Sequence, residues 1–513
     1  MTTMAAASPL IARVLAEANA GANQPALAMA GAHLTYGELR GEVLGAAEWL
    51  RRAGVEEGDR VAVILPKSIE TVVIILAVLA VGATYVPLNH KLPKLALKPV
   101  LRDLEPRLVI AEQGEAELLL GQSDMPGLRI ASIQSGGSAR LALAGIIPGA
   151  AAPLAGAAGL AAILYTSGST GEPKGIMLTH ANIASFVEWA ADTFEVSSED
   201  RIANHAPLHF DLSIFDIFAG LGRHATVHLI DETIARFPGA IRALIDSMRI
   251  SVWYSVPTAL MRLQERHALK GASSLRVILF AGEVFPVAAL RRLMDDLPTP
   301  QYANLYGPTE TNVCTYYRLP GMPPAGEPLP IGRPCEHLKV SLCDSTGAPV
   351  APGQSGEICV AGPAVMEGYW RRQDLTRAVR LAGQDNSYRT GDYGYVRADG
   401  LLMLSGRRDQ QAKLRGHRIE LLALEATLNA HPALRESAAF VIPDERTGGA
   451  LIVYAVPRGE PLALSDIRNF IGARLAPFYQ PDGIEWLTEM PQTANGKCDR
   501  ALLRSRAEQS LKV

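Results

Sequence analysis

The chain has 513 residues, 48% apolar and 20% charged, a composition that builds ordinary cores and excludes wholesale disorder. At about 150 residues per domain, the length argues for roughly three lobes. Lys+Arg number 49 and Asp+Glu 52, for a formal charge of −3, so a basic nucleic-acid binder is excluded.

Met1–Ala20 is Ala-rich and lacks a basic stretch ahead of a long apolar run, so no secretory signal is expected. Thr71–Asn89 carries no charge, and Val72–Val81 is almost purely aliphatic. Gly82 and Pro87 interrupt it, so it reads as a buried helix feeding a strand at Tyr85–Leu88, not a membrane span. Short apolar runs then recur at Val61–Leu65, Leu108–Ala111, Ala161–Tyr165, Val227–Ile230, Val252–Ser255, Val277–Ala281 and Tyr302–Leu305. Helical patterns such as Ile183–Thr193 and Pro238–Met248 separate them. This alternation predicts α/β layers with mostly parallel sheets. Ser135–Gly159, rich in Gly, Ala and Ser, is expected to be a loop or a weakly ordered approach to the next strand. After about Gly332, alternating strands and turns (Asp344–Gly347, Pro352-Gly353, Asp399-Gly400) predict a β-rich subdomain. From near Gln410, a helix at Ile419–Leu428 and strands at Ala438–Ile442 and Leu451–Ala455 predict a small α/β domain.

The five cysteines, Cys314, Cys335, Cys343, Cys359 and Cys498, form no CxxC pair. An odd set without that spacing argues against a disulfide scaffold or zinc cluster and fits a reducing cytoplasm.

Between the strands Ala161–Tyr165 and Ile176–Thr179 lies Thr166-Ser-Gly-Ser-Thr-Gly-Glu-Pro-Lys-Gly175. Its three glycines, four hydroxyls and one lysine make an anion cradle: glycines admit phosphate oxygens to backbone N–H groups, hydroxyls donate, and Lys174 adds charge. It is not a Walker A motif. A Gly/Ser run alone reads as a flexible hairpin loop; the embedded Thr-Gly-x-Pro-Lys-Gly is far more specific.

Thr166–Gly175 resembles the signature loop of the adenylate-forming superfamily, which includes acyl-CoA synthetases, luciferases and nonribosomal peptide synthetase adenylation domains. Further motifs follow in order along nearly the whole chain. The resemblance implies a large N-terminal domain, residues 1–408, of two α/β subdomains plus a β-rich one. It implies a small mobile α+β domain, residues 409–513, with the hinge at Asp409. It assigns nucleotide binding to Thr166, Ser167, Gly168, Ser169, Thr170, Gly171 and Lys174. Asn304-Leu-Tyr-Gly-Pro-Thr-Glu310 would add Asn304, Tyr306 on adenine, Gly307, Thr309 on the α-phosphate, and Glu310 holding Mg²⁺. Thr166, Glu310 and Lys497 are the implied catalytic positions.

The Asp399-Gly400 turn lies seven residues after Asp392 and seven before Arg407, so a regular hairpin sets these two side by side. The resemblance gives Asp392 the ribose hydroxyls and makes Arg407 its helper; a bare ion pair would add little. Lys413, Arg415 and Gly416 match the loop that enters the site after domain rotation, and Gly416 would let the backbone pass close to a pantetheine arm. Lys497, after the Asn495-Gly496 turn, would bridge substrate carboxylate and nucleotide.

His209-Phe-Asp-Leu-Ser213 resembles the segment that opens the acyl pocket. In amino-acid-activating members an aspartate here, Asp211, pairs with the α-ammonium; the bland alternative is a helix cap. The aligned pocket positions are Leu212, Phe215, Tyr254, Leu279, Ala281, Leu305, Val313 and Cys314, with Lys497 closing the set. Core packing would explain each singly. Together they resemble the pocket of stand-alone L-prolyl-AMP ligases. The implied reaction uses ATP and Mg²⁺ to activate L-proline and loads the phosphopantetheine thiol of a peptidyl carrier protein, in pyrrole-type secondary metabolism. Neither nucleic acid nor membrane is an expected partner. Three alternatives stay open: another small apolar amino acid, an acyl- or aryl-CoA synthetase, and a nucleotide-binding regulator without catalysis.

Overall fold

The computed structural model describes residues 9–16, 22–112, 130–133, 143–146, 159–167, 173–351, 353–407, 411–444, 448–491 and 498–510. Two large sheets dominate. One is nine-stranded, and six neighbouring strands within it run parallel: Pro25–Met29, Thr226–Leu229, Arg201–Asn204, Val252–Ser255, Val277–Ala281 and Gln301–Tyr306. Val252–Ser255 and Val277–Ala281 are buried at every residue. This is why they read as continuous apolar runs: parallel strands are covered on both faces. Antiparallel strands Ala32–Thr35 and Thr315–Arg318 close the flanks of this parallel block.

The other sheet is eight-stranded, with Arg60–Ile64 at its centre between Thr84–Pro87 and Leu108–Glu112. Its edge bears one correction. Leu143–Ile146, inside the stretch expected to be a loop or weakly ordered, is a strand paired antiparallel to Ile130–Ile133. Ala and Gly kept its composition turn-like, and pairing at a sheet edge overrides that weak local preference.

The aliphatic run forms the helix Ile69–Val81, and the Ser68 side chain caps it by accepting from Thr71 N–H. It stops where Gly82 turns left-handed at φ 85°. Its 13 residues are too few for a span, and no helix among the described residues is long and apolar enough to cross a membrane.

A four-stranded antiparallel sheet follows, in the order Lys339–Cys343, Gly356–Ala361, Ser387–Val396, Leu402–Arg407. Asp392 does lie opposite Arg407, by a less simple route than a regular hairpin. A two-residue turn would pair Val396 with Met403; Val396 pairs with Leu402 instead, and a bulge between Tyr393 and Gly394 restores the register.

The C-terminal segment has its own cores. It consists of the hairpin Gln411–Leu414/His417–Glu420 and the three strands Leu434–Ile442, Ala450–Pro457 and Gly483–Trp486. The helix expected from Ile419 begins at Leu421, because His417–Glu420 is spent on the hairpin. Residues 408–410, which include the expected hinge Asp409 and the expected boundary, lie outside the described residues.

Candidate active site

Loops that follow the carboxyl ends of the parallel strands build the site, as open α/β sheets require. Arg201–Asn204 leads to His209–Asp211, Val252–Ser255 to Val256–Thr258, Val277–Ala281 to Gly282-Glu283, and Gln301–Tyr306 to Gly307–Glu310. From these loops His209–Asp211, Gly282 and Gly307–Thr309 line a cleft of about 320 Å³ together with residues of the C-terminal segment.

Asp211 opens the helical stretch Leu212–Ile214, but its side chain makes no capping bond there. Instead Oδ2 accepts from Thr309 Oγ1 at 2.6 Å. The helix-cap alternative is therefore not what this carboxylate does. Leu212, Tyr254, Ala281 and Val313 line the cleft beside it. Phe215, Leu279, Leu305 and Cys314 are buried, with 3% exposure or less, and belong to the core without lining the cleft. They shape it from behind: the Phe215 ring stands edge-on to Tyr254 at 5.7 Å and 90°. His209 and His417 also line the cleft, and burial pushes them down to about 3 and about 4. Both are neutral near pH 7, so neither opposes the Asp211 charge for an incoming cation.

Among the residues expected to bind nucleotide, Thr166 lies opposite Lys174 on paired strands. Thr166, Gly307 and Thr309 line the cleft. A Cβ on Gly307 would sit 1.6 Å from the Asn312 carbonyl oxygen, so only glycine lets this loop fold back on itself. Tyr306 is buried, and its hydroxyl donates to Asp392 Oδ2 at 2.6 Å. Burial pushes that hydroxyl well above its ordinary value, and Asp392 reinforces the shift. Glu310 is fully buried and accepts from the Tyr369 hydroxyl at 2.8 Å. Lys174 Nζ stands 5.4 Å from the centre of the same Tyr369 ring. Asn304 is turned away, its amide donating to the Pro330 carbonyl at 2.8 Å. Gly168, Ser169, Thr170, Gly171 and Lys497 lie outside the described residues, as do the side chains of Ser167, Arg407 and Lys413.

The C-terminal segment closes the cleft with Gly416 and His417. Gly416 has φ +82°, and a Cβ on it would lie 2.8 Å from Val256 Cγ1. The His417 ring stacks on Phe478 at 4.1 Å and meets the edge of Phe210 at 5.2 Å. Arg415 reaches away, donating to Asp482 Oδ1 at 2.7 Å.

The sequence pattern of AMP-binding enzymes matches residues 15–370, and that of their C-terminal domain matches residues 423–497. The chain belongs to the AMP-binding enzyme family. It is 38% identical to an L-proline–[L-prolyl-carrier protein] ligase of Streptomyces coelicolor, over 97% of this chain and 96% of that one. It is 36% identical to a ligase of the same name from Pseudomonas fluorescens, over 93% and 94%. The amide bond synthetase McbA of Marinactinospora thermotolerans shares the fold, with a TM-score of 0.83 at 24% identity, over 97% of this chain and 99% of that one.

Two residues of this AMP-binding enzyme escaped sequence reasoning. Tyr369, between Lys174 and Glu310, reaches the site because Gly368–Tyr369 pairs with Ile176 and Met177 at the sheet edge, a two-residue contact with no sequence signal. Glu283 had one: it follows a parallel strand directly, as the other site loops do. Its Oε2 accepts from Thr258 N–H at 3.0 Å and from Thr258 Oγ1 at 2.6 Å, and its Oε1 accepts from the Gly416 N–H.

Proposed function

We propose that this enzyme activates L-proline with ATP and transfers the prolyl group to the phosphopantetheine thiol of a peptidyl carrier protein. The carrying observation is the Asp211 carboxylate, turned to Thr309 and set in a wall of Leu212, Tyr254, Ala281 and Val313. A carboxylate in an apolar pocket is costly unless a cation faces it. It therefore favours an amino acid over a plain fatty or aryl acid, and the apolar wall favours a compact aliphatic ring. The names of the two ligases over 90% covered support the same substrate and acceptor.

In the first step a proline carboxylate oxygen attacks the α-phosphorus of ATP. The bond from that phosphorus to the bridging oxygen breaks, and pyrophosphate leaves. This chain contributes position and charge. Asp211 holds the secondary ammonium, Lys497 the carboxylate, Thr309 the α-phosphate, and Thr166–Lys174 the leaving phosphates. Asp392 holds the ribose with Arg407 beside it, and Tyr306 lies against adenine. Glu310 fits Mg²⁺ by donor chemistry, a buried carboxylate oxygen steadied by a hydroxyl. Bound there, the ion would neutralise phosphate charge.

In the second step the C-terminal domain has turned about Asp409, withdrawing Lys497 and bringing in the Lys413–Gly416 loop. The carrier thiolate attacks the prolyl carbonyl carbon, the carbon–oxygen bond to AMP breaks, and AMP leaves. The contact of Gly416 and His417 with the cleft supports reading the observed arrangement as that of transfer. The enzyme would act in the cytoplasm, where its five cysteines stay reduced.

The test is carrier loading. With MgATP and L-proline, a phosphopantetheinylated carrier should gain one prolyl residue by mass spectrometry. A CoA thioester of an aryl or fatty acid, without carrier loading, would overturn the reading.

A further inference from the structure

We propose that Glu283 is a positioning residue for the transfer step: a clasp that holds the C-terminal domain docked while the thiol attacks. The inference rests on the two-step reading above and adds a residue to it. One carboxylate bridges two parts of the chain. Its Oε2 is anchored within the large domain by two Thr258 donors, at 3.0 Å from N and 2.6 Å from Oγ1. Its Oε1 takes the backbone N–H of Gly416, which belongs to the C-terminal hairpin.

The surfaces around this bond are shaped for close approach. A Cβ on Gly416 would meet Val256 Cγ1 at 2.8 Å, and one on Gly448 would meet Thr258 Oγ1 at 2.4 Å. Two C-terminal glycines thus face the same three-residue segment, Val256–Thr258, that anchors Glu283. Only backbone can come this near, so the N–H of Gly416 arrives where a carboxylate oxygen waits. Hydrogen bonds to charged acceptors are about twice as strong as neutral ones, and the half-buried setting of Glu283 limits competition from water.

The clasp is one-sided. If the C-terminal domain swings away, the Thr258 bonds to Oε2 remain inside the large domain and Oε1 is free to take water. Glu283 therefore favours the docked arrangement without contributing to adenylation, and His417 between Phe210 and Phe478 adds an apolar contact beside it.

The experiment measures both half-reactions in Glu283→Gln and Thr258→Val. Proline-dependent ATP–pyrophosphate exchange should stay within about twofold of wild type, while single-turnover transfer from preformed prolyl-AMP to the carrier slows by about 10- to 100-fold in Glu283→Gln. Thr258→Val, which frees Oε2 from one donor, should show the same split, more weakly. A merely structural role would lower both rates together with the melting temperature, and either that result or two unchanged rates would overturn the proposal. If the wild-type enzyme itself showed no exchange, the two-step reading would have failed instead.

Discussion

Thr309 Oγ1 donates to Asp211 Oδ2 at 2.6 Å, joining two loops 98 residues apart. The bond links the proposed acyl end of the cleft to its proposed nucleotide end, since Thr309 sits in the loop after Gln301–Tyr306 and Asp211 after Arg201–Asn204. Asp211→Asn keeps an oxygen to accept from Thr309 and removes the charge. The expected result is a loss of about 100- to 1,000-fold in kcat/KM for proline, because a desolvated ammonium would lose its counter-charge. Exchange kinetics check this, and a loss below about tenfold would mean that Asp211 is not the ammonium partner.

His417 offers a pH test. Burial pushes it down from 6.5 to about 4. Between these values the unfolded chain binds a proton that the folded chain refuses, so stability rises with pH across the window. The contribution is full above 6.5 and is lost as pH falls toward about 4. His417→Phe keeps an aromatic ring on Phe478 and removes the titration. Its melting temperature, measured against wild type between about pH 7 and about pH 5, should gain on the wild type as pH falls. Parallel curves would contradict the assignment.

Lys497→Ala separates the half-reactions from the other side. Exchange should fall by about 100-fold or more, the usual cost of removing a group that stabilises developing charge. Transfer from preformed prolyl-AMP should stay near wild type, because in the proposed mechanism Lys497 acts before the domain turns. Equal losses in stopped-flow or quench assays would contradict the two-arrangement mechanism.

Much of this was legible in the sequence for definite reasons. Val252–Ser255 and Val277–Ala281 announced themselves because strands covered on both faces carry no polar alternation. Pro238–Met248 was readable from its apolar spacing, with proline at its first turn. Asp392 opposite Arg407 followed from counting outward from a turn, although the bulge that delivers it could not be seen. Less legible were features decided by distant chain. Leu143–Ile146 is a strand only because Ile130–Ile133 lies beside it. Residue type alone did not separate Tyr254, on the cleft, from Phe215 and Leu279 behind it. The Glu283–Gly416 contact spans 133 residues and no local pattern encodes it.

In the proposed function a proline-specific adenylation site lies around Asp211. Its most direct test is ATP–pyrophosphate exchange with the purified enzyme across the common amino acids, pipecolate and a few aryl acids. Strong exchange with L-proline, and at least about tenfold less with valine, alanine and pipecolate, is the expected result. Equal or greater exchange with an aryl acid, or with another amino acid in place of proline, would contradict it.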